Sequence, residues 1–289
     1  MAEANTILTT DLARIREIDF VTMFEYNTKK LMEVLGVTRP IAKQSGAVLK
    51  AYKAQGTLES GVVPEGDLIP LSKYETVPVN LGEITLKKWR KSTTVEAVTE
   101  KTYNQAVIAT NQKMLEDVQK GVKQDFFTFL GTGTGTAAGT DFQSLLGNIW
   151  GNLAVLFEDY EVSPVHFINP LDIGTYLGTA QITMQTAFGM RYVEDFMGMG
   201  TVITSGLIPQ GTIYSTAKRN IVAYYIPVNG ADINKAWTFT SDSTGLIGIH
   251  EHNDYDYMTV KNTVVSGLSL FADRLDGIIV GTIGGSGNP

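Results

Sequence analysis

Residues 93–130 read TTVEAVTEKTYNQAVIATNQKMLEDVQKGVKQDFFTFL, without proline and with Gly121 as the one glycine. Thr93 and Glu96 have the spacing of a capping box, in which two side chains satisfy amides that the first helical turn leaves free. Val107, Met114, Val118, Val122, Phe126 and Phe129 recur at threes, fours and one seven, which predicts a helix with one apolar stripe. At 1.5 Å per residue that helix would be about 55 Å long, several times the usual length. A rod of that length in a 289-residue chain predicts a brace for something extended.

The stretch ends at GTGTGTAAGT, residues 131–140, read as a flexible turn. Beyond it, 142–160 looks helical. SPVHFINP (163–170) looks like a short buried strand stopped by Pro170, and a short helix follows Asn169-Pro170. From Arg191 to Val228 strands and turns alternate, 232–248 is loop-rich, and the end from Tyr255 reads as two or three more strands. Upstream, Asp19 caps a helix with Phe20, Phe24, Asn27, Leu31 and Val34 on one face, ended by Gly36 and Pro40. Its stripe carries a polar residue, so an amphipathic arm is expected.

Between arm and rod lie two strands, AVLKAYKA (47–54) and TVPVNLGEITLKKW (76–89). Val77, Val79 and Leu81 share a face, and a bulge is expected at Gly82, where the alternation slips. The connecting segment, 55–72, is rich in glycine and proline and has no period. A projecting hairpin is predicted, and long loops of this kind tend to carry function. Val63, Leu68, Ile69 and Leu71 are apolar in this otherwise solvated loop, which marks them for burial against a neighbour. Lys87, Lys88, Arg90 and Lys91 form the one basic cluster, around Trp89. A solvated strand end and a contact with an acidic neighbour or packaged nucleic acid both fit it. The order of helices and antiparallel strands, with no βαβ rhythm and no repeat, predicts an α+β fold.

Composition narrows the function. Charged residues are 18% of the chain and the balance is 30 acids to 23 bases, net -7, with no basic block to neutralise many phosphates, so sequence-specific nucleic-acid binding is not expected. With no cysteine, disulfides and thiolate chemistry are excluded. No apolar run approaches the ~20 residues that cross a bilayer, and no membrane partner is expected. Gly133-x-Gly135-x-x-Ala138 matches a dinucleotide fingerprint, yet it follows a helix C-terminus, where the dipole repels phosphate. On a strand, His250, His252, Asp254 and Asp256 would share a face suited to zinc or manganese. A polar loop entering a strand is the plainer reading. No serine–histidine–acid set or carboxylate pair stands out, so no catalytic residue, metal or cofactor is expected.

The order of elements resembles the major capsid proteins of tailed bacteriophages, the Hong Kong 97 (HK97) fold. The resemblance is carried by VVPEGDLIPLSKYETVPVNLGEITLKKWRKSTTVEAV (62–98), FFTFLGTGTGTAAG (126–139), VHFINPLDIGTYLG (165–178), GMGTVITSGLIPQGTIYSTAKRNIVAYY (198–225) and LDGIIVGTI (275–283). It implies an α+β, HK97-like capsid fold with an N-terminal arm at 1–45 and an extended β-hairpin loop at 46–92. A peripheral domain with a long spine helix would take 93–141 and 250–272, and a mixed axial domain 142–249 and 273–289. It further implies self-assembly as hexamers and pentamers into an icosahedral shell around double-stranded DNA, with portal and decoration proteins as partners and non-specific contact with packaged DNA. The arm-like segment begins near Met1, so scaffolding is expected from a separate protein. Subunit contacts are expected at Phe20, Phe24 and Leu31 in the arm, at Val63, Leu68, Ile69 and Leu71 in the loop, and at Lys87, Lys88 and Arg90. Two other readings remain, an encapsulin-type nanocompartment shell and a metal-dependent enzyme using His250, His252 and Asp254.

Overall fold

Strand pairing at Thr93 begins the spine later than its sequence suggests. In the computed structural model, which describes residues 38–44, 46–62, 64, 68–158, 163–179, 184–187, 190–218, 220–241 and 245–284, Thr93 lies buried in a strand opposite Val260. The cap comes from Thr94, whose hydroxyl accepts from the Ala97 amide at 3.3 Å. The arm residues Phe20, Phe24 and Leu31, and the loop residue Val63, lie outside the described residues.

In chain order the strands are β1 (Thr38–Ala42), β2 (Val48–Thr57), β3 (Lys73–Glu83) and β4 (Lys87–Thr94), followed by helix α1 (Val95–Tyr103). A π-helical turn, Asn104–Ile108, leads into α2 (Ala109–Leu130). Next come β5 (Gly135–Gly139), α3 (Phe142–Leu156), β6 (Pro164–Ile168), α4 (Pro170–Thr179), β7 (Gln185–Ala187), β8 (Met190–Val193) and β9 (Thr201–Thr204). The chain continues through β10 (Thr212–Ala217), β11 (Ile221–Tyr225), α5 (Ala231–Ala236), β12 (Thr240–Ser241), β13 (Ile247–Asp254), β14 (Thr259–Ser266), β15 (Leu268–Ala272) and β16 (Ile278–Ile283).

The predicted continuous rod is therefore three pieces. Thr102 sits at φ 68, ψ 154, a conformation that halts an α-helix. The π turn beyond it frees backbone carbonyls that side chains then satisfy. Lys91 Nζ donates to the Val107 carbonyl at 3.3 Å, and the Thr110 hydroxyl lies 2.7 Å from the Ala106 carbonyl and 3.0 Å from that of Val107. Of the predicted stripe, Val107, Val118 and Phe126 are buried, while Met114, Val122 and Phe129 flank them. Leu115, Phe127 and Leu130 complete the buried face.

The expected flexible turn after the spine is half a strand. β5 runs parallel to β16, and the glycines permit that approach. A Cβ on Gly133 would lie 2.5 Å from the Ile278 carbonyl oxygen, and one on Gly135 2.7 Å from that of Asp276. These glycines serve backbone packing, not phosphate binding.

Among the described residues the largest sheet has seven strands in the order β5-β16-β10-β6-β9-β8-β7. Alternation sends its side chains to two cores. Val165, Phe167, Ile203 and Ile278 meet the end of the spine at Phe126, Phe127 and Leu130. Ile168, Val202, Ile213 and Ile279 meet α3 at Leu145, Ile149 and Leu153. Helix α3 begins with a capping box between Asp141 and Ser144, and α4 begins where the Asn169 side chain accepts from Leu171 N–H at 3.0 Å. A second sheet, β12-β13-β14-β4, packs Ile247, Ile249 and Val264 on the spine residues Leu115 and Val118. A third, β1-β11-β15, and the separate β2–β3 hairpin complete the set.

Candidate assembly interfaces

The β2–β3 hairpin pairs with no other strand among the described residues. Leu49 faces Gly82 and Lys50 faces Asn80, so Leu81 is the extra residue of a bulge, one position from where it was expected. At the far end of the ladder the connecting loop is closed by the Ser72 hydroxyl, which accepts from the Glu59 amide at 3.0 Å. Leu58, Val62, Leu68, Ile69 and Leu71 lie there between 73% and 95% exposed. Burying one such side chain is worth about 1.5–3 kcal/mol. Five together constitute an uncovered apolar surface, including the predicted Leu68, Ile69 and Leu71.

The basic cluster divides by strand alternation. Lys87 turns toward the spine and pairs with Asp125, and Lys91 turns the same way onto Val107, Thr110 and Asn111. Lys88 points to the opposite side, onto an apolar groove of about 740 Å³ that Leu86, Ile233, Trp237, Phe239, His250 and His252 also line. Arg90 is exposed. The four charges thus do not act as one patch.

Residues proposed as a metal face are separated. His250 and His252 stack at 5.6 Å, but Asp254 pairs with Lys261, Glu251 accepts from Asn262, and Asp256 lies beyond the end of β13. Among the described residues no three of His, Cys, Asp and Glu gather in one place. The Lys261 hydrogen bond holds the Asp254 carboxyl below its usual range, and the same carboxylate accepts from the Asp256 and Tyr257 amides. Asp254 builds a rigid turn.

That turn presents a surface that the sequence reading missed. Tyr255, Tyr257 and Met258 project from the β13–β14 tip, more than half exposed. Lys261 Nζ sits 5.1 Å from the Tyr257 ring centre, and the Met258 carbonyl accepts from Val95 N–H at 2.9 Å, tying the tip to the start of α1. The signal was present as DYDYM, aromatic residues in a polar turn. Tyr74, Trp150 and Trp237 are further exposed aromatic residues among those described that the sequence reading did not single out. Among the described residues no helix is long and apolar enough to cross a membrane.

No family model and no curated protein matches the sequence. Solved structures do. A structure from Mycobacterium phage Patience superposes with TM-score 0.58 at 9% identity, over 99% of this chain and 95% of that one. The mature capsid of bacteriophage PhiM1 gives TM-score 0.56 at 9% identity, over 88% and 87%. The holo-SrpI encapsulin complex from Synechococcus elongatus PCC 7942 gives 0.52 at 11%, over 98% and 91%. Identity this low speaks for architecture alone, and the architecture agrees along nearly the whole chain: it has the α+β, HK97-like fold of phage capsids and encapsulins.

Proposed function

We propose that this chain is a shell subunit, the major capsid protein of a tailed-phage type particle, assembling as hexamers and pentamers into an icosahedral shell around double-stranded DNA. The observation that carries this reading is the projecting hairpin with its uncovered Leu68, Ile69 and Leu71. A loop so apolar gains most of its burial from another copy, and closed symmetry gives every copy the same cover. The exposed β13–β14 tip adds a second surface of that kind. The role is structural, not enzymatic, and its place is the virion after synthesis in the host cytoplasm. In this reading 1–45 is an arm and 46–92 the extended loop. Residues 93–141 and 250–272 form a peripheral unit, and 142–249 with 273–289 an axial one. Scaffolding, portal and decoration proteins are its partners, and packaged DNA meets it without sequence preference.

The likeness to an encapsulin favours one other reading, a nanocompartment that encloses protein cargo. Electron microscopy with light scattering tests both. Closed shells, or rings of five and six, are expected. DNA inside them favours the capsid, and a co-purifying protein cargo favours the compartment. A lone subunit, with scaffold supplied and the arm intact, would overturn the shell reading.

A further inference from the structure

The face of the β12-β13-β14-β4 sheet that turns away from the spine carries the groove of about 740 Å³ bordered by Lys88. Its floor follows from strand alternation. Ile249, Val264 and Trp89 pack on the spine, so their neighbours in sequence, His250, Thr263, Val265 and Lys88, turn the other way. His252 joins His250 on that face, and the two imidazoles stack at 5.6 Å with 24° between their planes. One wall comes from the segment after α5. Phe239 meets His250 edge to face at 6.4 Å, and Gly248 makes room for it, since a Cβ there would lie 3.0 Å from Phe239 Cβ. Trp237 lines the same groove and is 64% exposed.

The ionisable groups of the groove are all of one kind. Lys88, His250 and His252 line it with no aspartate or glutamate, in a chain of 30 acids to 23 bases. Among the described residues none of these three side chains has a hydrogen-bond or ion-pair partner. We propose that the groove binds a small aromatic carboxylate, its ring held between the imidazole pair and Trp237 and its carboxylate on the Lys88 ammonium. Small-molecule sites run from about 300 to 1,000 Å³, with apolar walls and few polar groups, and this groove has that size and character. Flat side chains on two sides favour a flat ligand. The ammonium beside them gives an anion a charge-assisted hydrogen bond and gives a cation only repulsion. From β4 across β14 to β13 is two strand spacings, about 9.5 Å, a width that a two-ring carboxylate spans. A ligand so seated joins the sheet to the segment after α5 and stabilises that contact by its binding.

Equilibrium dialysis of the purified full chain against 2-naphthoate tests the assignment, with 2-naphthylmethylamine as the cation of the same ring and decanoate as the aliphatic acid. Saturable binding of one naphthoate per chain is expected below about 1 mM, with both comparators about tenfold weaker or more. Lys88→Met keeps the apolar stem and is expected to abolish the preference for naphthoate over the amine. Trp237→Ala is expected to weaken both aromatic probes. Both side chains are exposed, and the wild-type comparison stands by itself where a variant fails to fold. No saturable binding of naphthoate, amine or decanoate bound as tightly, or a preference that survives Lys88→Met would overturn the proposal. So would a site that free subunits offer and assembled particles cover, which would give the groove to a neighbouring copy.

Discussion

The seven-stranded sheet and the β2–β3 hairpin are both strands decorated with apolar side chains, yet they satisfy those side chains in opposite ways. The sheet closes on its own chain, with Phe167 fully buried between Phe126 and Phe127 at ring distances of 5.4 and 5.7 Å. The hairpin leaves Leu68 and Leu71 above 90% exposed. Hydrophobicity alone therefore does not locate a core. What separates the regions is whether a second layer of the same chain is there to cover the face, and that is a property of topology.

The comparison breaks most visibly at Phe167. Phe167→Ala removes a ring from a cluster of three edge-to-face aromatics, and a loss of about 3–5 kcal/mol is expected in urea unfolding of the dissociated subunit. A loss under about 1 kcal/mol would mean that this core repacks freely.

His166 tests the same sheet through acid. Its ring is buried, Nε2 donates to the Met199 carbonyl at 3.0 Å, and Nδ1 lies 2.8 Å from the Ser215 hydroxyl. Burial lowers its pKa to about 4 from the ordinary 6.5, only partly opposed by the Met199 bond. The unfolded chain therefore takes up a proton below about pH 6.5 that the folded chain refuses until about pH 4. Stability from this group is complete above that window, declines as pH falls through it, and is flat below. At ~1.4 kcal/mol per pH unit the loss is on the order of 3 kcal/mol. Unfolding free energies from pH 7 to pH 4 check this, and His166→Asn should flatten that part of the profile while lowering stability at pH 7.

A smaller effect is expected where the spine is broken. Thr102 holds φ 68, ψ 154, a region that suits glycine. Thr102→Gly relieves that strain and is expected to raise stability by about 1 kcal/mol. A loss would place the Thr102 side chain in a contact worth more than the strain.

Short-range signals made much of this molecule legible. The end of the spine at Gly131, the helix after Asn169-Pro170 and the alternation in β14 follow from caps, breakers and periods within a few residues, whereas β13 reads in sequence as loop and a polar entry to a strand. The break at Thr102 was not legible, because a lysine on a neighbouring strand helps to satisfy the widened turn. Neither was the strand at 135–139, whose partner lies at 279–283 and whose glycines are explained only by that partner's carbonyls. Among the interface residues, Leu68, Ile69 and Leu71 were readable as apolar side chains in a polar loop. The four basic residues looked like one patch until strand alternation separated them. The aromatic tip at 255–258 reads in sequence as the start of a strand and is a turn instead, and its exposure is decided by what does not pack there.

The smallest expected effect on the folded subunit is the most informative about function. Leu68→Ser with Leu71→Ser changes side chains that touch almost nothing in their own chain, so urea unfolding of the subunit should move by no more than about 0.5 kcal/mol. If neighbours supply the missing cover, the same pair removes several kcal/mol of burial per contact, at about 1.5–3 kcal/mol for each side chain. Particle yield by light scattering should then collapse, as it should on deletion of 57–71, while the subunit's circular dichroism and unfolding midpoint stay in place. Normal particles from the double variant would mean that the loop's apolar side chains face solvent in the shell as well, leaving the β13–β14 tip and the arm to hold the copies together. A large drop in subunit stability would mean instead that the loop folds back on its own chain, and the contrast between hairpin and sheet would disappear.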